Sequence, residues 1–209
     1  MINQLNNIEH PNFWDMQYES KKTGWDLNSP NPVFNYLINE LPFINPSKLI
    51  ILGSGKGFDA VLANEKGYDV TAVDFSSTAN SYCRELNQKF KTQINIIEKD
   101  FFELDGSLNG TFDIVYEYVT YCAISLSKRN QFLKLVNKLL KPEGRFITVL
   151  FPIDNREDGP PFSVDYNQFL LETNHLFNLE YLDKNIPSVK PRKGKEILLV
   201  FRKPLIIKE

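Results

Sequence analysis

The sequence predicts an α/β protein with a Rossmann-like, doubly wound sheet that is mostly parallel. Short apolar runs alternate with helical patterns along residues 48–151, which is the rhythm of βαβ units. The first of these runs ends in a glycine-rich turn that precedes a helix. Two more strand-like segments follow near the end of the chain, and such a terminal pair predicts antiparallel pairing at one edge of the sheet.

Seven strands are predicted from these runs. Each run is too short for a helix, and an almost unbroken apolar run suits a strand that is buried on both faces. The regular alternation of strands and helices ends at Gly159-Pro160-Pro161, so the last two strands are treated as a separate pair. The predicted strands cover residues 48–52, 68–73, 93–99, 112–117, 145–151, 179–185 and 196–202.

Five helices are predicted where apolar residues recur at helical spacing. Pro32 favours the start of the first helix and Gly67 the end of the second, because proline suits a first helical turn and glycine a helix C-terminus. With helices between successive parallel strands, both faces of the sheet are expected to be covered. A turn is predicted at 141–144, and the helices at 31–41, 57–67, 77–91, 128–140 and 164–173.

Composition narrows the class of protein. The length of 209 residues suits a single domain over 1–209, and the net charge of -2 provides no basic field for nucleic acid or an anionic membrane. Two cysteines are too few for a disulfide framework, no apolar run is long enough to span a membrane, and no Cys/His cluster has metal-ligand spacing. A cytoplasmic protein without a metal site is therefore expected. We further expect a monomer whose partners are small molecules.

The glycine-rich turn is the first candidate binding feature. Gly53, Gly55 and Gly57 lie between a predicted strand and a predicted helix. Glycines at this position let the backbone turn tightly and let a ligand approach the main chain, while N–H groups at the helix start can meet a polar ligand. By itself the turn is typical both of nucleotide sites and of tight turns that bind nothing.

Two acidic strand ends narrow the choice of ligand. Asp74 ends the second strand, where a carboxylate can accept hydrogen bonds from ribose hydroxyls, so NAD and S-adenosylmethionine both fit. Asp100-Phe101 ends the third strand, where the carboxylate can accept from an adenine amine and the ring can pack on its face. Because position 58 is Phe, the turn is not the G-x-G-x-x-G of a dehydrogenase, which favours S-adenosylmethionine.

Three large aromatic residues stand in the polar N-terminal segment. Trp14 and Tyr18 are four residues apart and would share one face of a helix, and Trp25 follows. We interpret residues 1–30 as a lid that closes over a sulfonium cation by cation–π attraction. The alternative is a segment that only packs on the core.

Four stretches of the chain resemble the thiopurine S-methyltransferase family and, within it, the thiol and halide methyltransferases. They are Trp14–Tyr18 with Thr23–Asp26, Leu52–Ser76, Tyr116–Ile124 with Arg129, and Phe151-Pro152 with Gly159–Phe162. The resemblance implies the class I fold of S-adenosylmethionine-dependent methyltransferases. It also implies which residues bind the methyl donor: Trp14, Tyr18, Trp25, Gly53, Gly55, Asp74, Asp100, Phe101 and Tyr118.

The resemblance also implies the reaction. The expected activity is methyl transfer from S-adenosylmethionine to a small thiol or sulfide, with S-adenosylhomocysteine as product and with Tyr118 or Tyr121 orienting the nucleophile. The alternatives are a halide methyltransferase, a thiopurine S-methyltransferase and a homologue that binds the donor without turnover. Tyr118 stands where the animal thiopurine enzymes usually have Arg, which favours the small-thiol or halide branch. Ser54, Tyr18 and Glu117 depart from residues frequent in the family, and these departures concern substrate specificity.

Overall fold

The first three strands belong to one unit of the chain, Met1–Leu104. The structure, a computed structural model, describes residues 7–41 and 44–205, so the first six residues of the predicted lid lie outside the described residues. The middle strand of the three pairs in parallel with both others. The elements described in this unit are α1 (Pro11–Glu19), α2 (Pro32–Glu40), β1 (Lys48–Leu52), α3 (Phe58–Glu65), β2 (Asp69–Asp74), α4 (Ser77–Phe90) and β3 (Asn95–Glu98).

Helix α1 has no counterpart among the predicted elements. It lies in a mostly polar segment with isolated aromatic residues, so the helical period that revealed the other helices is weak here. Its start is nevertheless specified locally: Pro11 occupies the first turn, and the His10 side chain accepts a hydrogen bond from the Asn12 N–H at 3.2 Å. The N-terminal aromatic residues Trp14 and Tyr18 therefore lie on one helix.

Strand β3 is shorter than predicted. The N–H groups of Gln93 and Ile94 donate to the side-chain oxygens of Asn64 and Asn87, at 3.0 and 3.2 Å. The ladder with β2 begins only at Asn95. Side-chain acceptors from two helices thus satisfy the backbone where sequence alone suggested a strand.

The second unit, Asp105–Glu209, contains the remaining strands. The elements described are β4 (Phe112–Tyr118), α5 (Arg129–Leu139), β5 (Leu140–Leu150), α6 (Tyr166–Thr173), β6 (Asn178–Asp183) and β7 (Ile197–Arg202). Strands β4 and β5 are parallel, and β7 runs antiparallel to both β5 and β6. Over the whole chain the sheet has seven strands in the order β3-β2-β1-β4-β5-β7-β6. The predicted seven-stranded, mostly parallel fold with antiparallel C-terminal pairing is confirmed.

The predicted turn at 141–144 lies inside strand β5. Phe112 of β4 faces Leu140, whereas Ile114 faces Arg145, so the residues between Leu140 and Arg145 are looped out of the ladder. Glu143 in this loop has a positive φ of 64°. A turn-forming sequence is thus accommodated as a bulge within the strand.

Aromatic packing forms the core of the second unit. Phe146 of β5 stacks on Phe201 of β7 with ring centroids 6.0 Å apart, and Phe177 and Phe169 pack against the same cluster. Helix α5 buries one face consisting of Phe132, Leu133, Val136 and Leu139. Within the described ranges, no helix is long and apolar enough to cross a membrane.

Candidate functional site

The glycine-rich turn depends on left-handed backbone conformations. Gly53, Gly55 and Gly57 have φ values of 66°, 54° and 83°. Residues other than glycine rarely adopt these φ values without strain. At Gly57 space also excludes a side chain, because a Cβ there would lie 2.3 Å from Sγ of Cys83 on α4. The turn is therefore pressed against α4, and α3 starts from it.

Asp74 at the end of β2 faces this turn. Its Oδ2 accepts the Gly55 N–H at 2.9 Å and its Oδ1 accepts the Ser76 N–H at 2.9 Å. A carboxylate oxygen has more than one acceptor position, so the group can also receive ligand hydroxyls. Burial raises the pKa of Asp74 to about 6, the two N–H groups oppose this rise, and the negative charge of Asp15 adds to it.

The three N-terminal aromatic residues form one cluster. The ring of Trp25 lies edge-on to both Trp14 and Tyr18, with centroids 5.4 and 5.7 Å apart, and its Nε1–H donates to the Tyr18 hydroxyl at 3.3 Å. A Cβ placed on Gly55 would lie 3.1 Å from that hydroxyl. Burial, followed by the charge of Asp74, raises the pKa of Tyr18, which keeps the phenol neutral. The cluster thus reaches the glycine-rich turn.

Two carboxylates fasten the N-terminal segment to this region. Asp15 accepts the Ser76 Oγ–H at 2.6 Å and the Thr78 N–H at 3.0 Å. Asp26 pairs with Lys56 of the glycine-rich turn at 2.6 Å. Sequence reasoning missed both contacts. The available signal for the first was the run of hydroxyl residues after Asp74, which is typical of a helix N-terminus.

The end of β3 lies beside Asp74. The Lys99 N–H donates to the Asp74 carbonyl at 3.0 Å. Asp100 then caps a single 3-10 turn, accepting the Phe102 N–H at 2.9 Å, and the ring of Phe101 packs edge-on against Phe102 with centroids 4.8 Å apart. The turn after β1, Asp74 and the end of β3 are thus neighbours within the first unit.

In the second unit, Tyr118 joins two buried charged residues. Its hydroxyl accepts a hydrogen bond from Nη1 of Arg192 at 2.6 Å and donates to Oε1 of Glu196. Ser188 donates to the other oxygen of Glu196. Arg192 and Glu196 are 3% and 4% exposed, so this polar cluster is withdrawn from water. No role was predicted for Arg192 or Glu196, which lie just before and at the start of the last predicted strand, because charged residues are usually exposed to solvent.

Tyr121 is placed in different surroundings. It is 3% exposed and packs edge-on against Phe169 with centroids 5.0 Å apart, and the Arg129 guanidinium lies 4.7 Å from its ring centroid. Its hydroxyl donates to Oε2 of Glu172 at 3.3 Å. The described contacts do not join Tyr121 to the Tyr118 cluster, although both were candidates for orienting a nucleophile.

The turn between these two tyrosines is held by Glu117. Its fully buried carboxylate accepts the N–H groups of Thr120 and Tyr121, at 3.2 and 2.9 Å, and a hydrogen bond from the Thr148 hydroxyl. Val119 at the apex has a φ of 58°, a strained value for a β-branched residue. Burial raises the pKa of Glu117. A positioning role for Glu117 was not predicted.

Two of the stretches that carry the family resemblance contact each other next to this turn. The Phe162 N–H donates to the Cys122 carbonyl at 2.7 Å, and Nη1 of Arg129 donates to the Ser163 carbonyl at 3.1 Å. A Cβ on Gly159 would lie 2.4 Å from the ring of Phe162, so the bend there needs glycine. The motifs around Cys122 and Phe162 are therefore one packed substructure.

Comparison with known proteins assigns the family. The family model for thiopurine S-methyltransferase (TPMT) matches residues 9–197. The chain belongs to this family. It is 32% identical over 193 residues to the probable thiol methyltransferase 2 of Arabidopsis thaliana, and 30% identical over 195 residues to thiocyanate methyltransferase 1 of Brassica oleracea. Each match covers 88% of this chain and 82% of the relative.

Solved structures show the same fold. The chain matches the Burkholderia thailandensis 1,6-didemethyltoxoflavin-N1-methyltransferase, solved with S-adenosylhomocysteine bound, with a TM-score of 0.71. The match has 21% identity and covers 93% of this chain and 87% of that one. The TPMT-family chain is thus an S-adenosylmethionine-dependent methyltransferase with the class I fold.

The residues of the first unit fit this cofactor. Asp74 offers a carboxylate with acceptor capacity at a strand end, and the neighbouring turn contains Gly53 and Gly55, two left-handed residues without side chains of their own. The aromatic cluster of Trp14, Tyr18 and Trp25 suits a cation. In the described part of the chain, no group of three or more His, Cys, Asp or Glu could hold a metal ion.

The pKa of Asp74 predicts how cofactor affinity depends on pH. The ribose hydroxyls of the cofactor would form stronger hydrogen bonds with an ionised Asp74 carboxylate than with a protonated one. Affinity for S-adenosylhomocysteine should therefore be constant above about pH 7 and fall below pH 6. If only the ionised form binds, the loss approaches tenfold per pH unit, about 1.4 kcal/mol. Isothermal titration calorimetry between pH 5 and 8 measures it.

Unfolding caused by Asp74 would not explain such a loss. A carboxyl whose folded pKa is raised binds its proton more tightly in the folded state, so its protonation favours folding between about pH 6 and 3.8. A circular dichroism spectrum that is unchanged at pH 5.5 provides the control. An affinity that stays constant down to pH 5 would contradict the assignment of Asp74 to the cofactor.

Proposed function

We propose that this methyltransferase acts on a small, soft nucleophile, with a thiol or sulfide as the first choice. The observation that carries the proposal is the similarity, over 88% of the chain, to plant proteins named for thiol and thiocyanate methylation. Thiopurine S-methyltransferases are less similar: that of Acinetobacter baylyi is 21% identical over 199 residues. This difference favours a small nucleophile over a thiopurine as the acceptor.

The first unit holds the methyl donor in this proposal. Bound S-adenosylmethionine supplies a methyl group that is activated by its positively charged sulfur. Asp74 accepts hydrogen bonds from the ribose hydroxyls, and Gly53 and Gly55 let the donor approach the main chain. Asp100 and Phe101 hold the adenine. The rings of Trp14, Tyr18 and Trp25 attract the sulfonium by cation–π interaction and exclude water from it.

The second unit contributes Tyr118, the residue to which we assign orientation of the acceptor. The Arg192 guanidinium donates to its hydroxyl, which polarises the phenol. A thiol with a pKa near 8.5 is already partly thiolate at neutral pH, so alignment of the nucleophile supplies most of the rate and no strong base is required. Tyr118 is also predicted to lie near the methionine end of the donor.

A panel of acceptors tests the proposal. The purified protein is incubated with S-adenosylmethionine and sulfide, methanethiol, an aryl thiol, thiocyanate or iodide, and headspace gas chromatography measures methylated products. Methylation of sulfide or methanethiol is expected, with a rate that rises from pH 6 to 9 as the thiolate fraction grows. Cofactor is kept saturating so that its affinity does not shape the profile. Donor binding without product from any acceptor would contradict the proposal and support a non-catalytic binding protein.

Halide methylation is the second candidate. It is favoured by similarity to thiocyanate methyltransferases, because thiocyanate is an anion that needs no deprotonation. Iodide would then be methylated at a rate that does not rise between pH 6 and 9. The dependence on pH therefore separates the two candidates within one assay.

The same assay separates the two tyrosines. Tyr118→Phe removes the hydroxyl that Arg192 contacts, and its kcat at saturating donor is expected to fall about tenfold or more. Tyr121→Phe removes only a hydroxyl bonded to Glu172, and it serves as the matched control. A larger loss of kcat in Tyr121→Phe would reassign the orienting role to Tyr121.

A further inference from the structure

Ser76 stands between two carboxylates of the first unit. Its backbone N–H donates to Oδ1 of Asp74 at 2.9 Å, and its Oγ–H donates to Oδ1 of Asp15 at 2.6 Å. Its Oγ also accepts the Ala79 N–H at 3.0 Å, so Ser76 caps helix α4. The side chain has no exposed surface. A single rigid residue therefore links helix α1 to the carboxylate assigned to the cofactor.

Asp15 makes more than one contact with the start of α4. Besides Ser76, it accepts the Thr78 N–H at 3.0 Å and lies 3.3 Å from the Ser77 hydroxyl. These groups lie at the positive end of the α4 dipole, where an acidic side chain is favourable. Asp15 stands between Trp14 and Tyr18 on α1, so the contact that holds Asp15 also sets the position of those rings.

We propose that Asp15 is a positioning residue for the methyl donor: through Ser76 it orients Asp74, and it holds helix α1 with its aromatic residues against the same site. Docking of α1 and binding of the donor then favour one another, because both have a more favourable free energy when Asp74 and Ser76 are held in place. This inference rests on the proposed cofactor role of Asp74 and does not depend on the identity of the acceptor.

The charges around Asp74 supply a second signature. Asp74 interacts electrostatically with Asp15 and Tyr18 from α1 and with Cys83 from α4, and Glu98 is its register partner on β3. Asp15 opposes ionisation of Asp74, and burial together with Asp74 raises the pKa of Cys83 to about 11, so that thiol stays neutral. Removing the charge of Asp15 should therefore let Asp74 ionise at a lower pH.

Two substitutions separate the charge of Asp15 from its hydrogen bonds. In Asp15→Asn, the amide oxygen can still accept from Ser76 and Thr78, but the charge is lost. In Asp15→Ala, the contacts with α4 are lost as well. Glu19→Gln is the matched control, because it removes an exposed carboxylate from the same helix.

The readouts are affinity and proteolysis. Calorimetry measures the Kd of S-adenosylhomocysteine from pH 5 to 8, and trypsin cleavage at the exposed Lys21-Lys22, just after α1, reports undocking of the helix. Asp15→Ala is expected to weaken binding about tenfold and to lose protection of Lys21-Lys22 by S-adenosylhomocysteine. Asp15→Asn should bind within about threefold of wild type at pH 7.5, with the decline in affinity moved to lower pH.

Several results would overturn the inference. Asp15→Ala with wild-type affinity and protection would do so, as would Glu19→Gln with the same losses as Asp15→Ala. If the affinity of Asp15→Asn for S-adenosylhomocysteine fell at the same acidic pH as that of wild type, the contact of Asp15 with α4 would be structural only. Failure of the wild-type protein to bind S-adenosylhomocysteine at all would instead count against the cofactor site, so the two failures are distinguishable.

Discussion

Replacing Asp74 with asparagine is expected to weaken the binding of S-adenosylhomocysteine at least about 100-fold at pH 7.5. Hydrogen bonds to a charged group contribute about 1.5–3 kcal/mol each, and two ribose hydroxyls lose that partner. An amide in this position also turns a donor toward the N–H of Gly55 or Ser76, which leaves one of these groups unpaired. Isothermal titration calorimetry measures the loss.

Asp69→Asn is the matched control for this substitution. Asp69 is the exposed first residue of the same strand β2, so the change of charge is identical while the strand end is untouched. Its affinity should equal that of wild type. The residual binding of Asp74→Asn should also lose the decline below pH 6. Binding of Asp74→Asn within about threefold of wild type would show that the ribose is recognised elsewhere.

Replacing Gly57 with alanine is expected to lower the free energy of unfolding by roughly 2–5 kcal/mol. A left-handed conformation at φ 83° costs alanine about 1–2 kcal/mol, and the overlap of its Cβ with Sγ of Cys83 at 2.3 Å adds about 1–3 kcal/mol as the turn moves away from α4. The Tm should fall by about 10 °C for a chain of this size. Thermal unfolding monitored by circular dichroism measures it.

Three further variants divide this cost into its parts. Gly194→Ala has a similar φ of 82° and nothing within 4 Å, so it measures the backbone cost alone. Gly24→Ala has open space and no positive φ and should be neutral. Adding Cys83→Ala to Gly57→Ala should recover the steric part. Equal effects of Gly57→Ala and Gly194→Ala would show that the contact with Cys83 costs nothing.

The fold could be predicted because its signals are local. The buried strands β1 and β2 read as apolar runs, and α5 presents one apolar face, so each element is encoded in neighbouring residues. The differences arise where contacts distant in sequence act on the backbone. Asn64 and Asn87 shorten β3, and pairing with β4 keeps a turn inside β5. Helix α1 was missed because its specification lies in its cap at His10.

The sequence alone determined the order of the strands along the chain and which residues stand at the strand ends. Glycines after β1 and carboxylates at the ends of β2 and β3 follow from position along the chain, because neighbouring parallel strands end at the same edge of a sheet. The roles assigned to the acceptor side, Tyr118 and Tyr121, stay predictions.

Only the tertiary structure decided which side chains meet across long separations. Asp15 reaches Ser76 over 61 residues, and Arg192 reaches Tyr118 over 74. A hydrogen bond needs its two heavy atoms within a few tenths of an ångström of one distance. Such precision depends on packing and on side-chain rotamers, which residue type and spacing do not encode. The glycines and Asp74 could thus be found by reading the chain, whereas Asp15 and Arg192 emerged as partners only after folding.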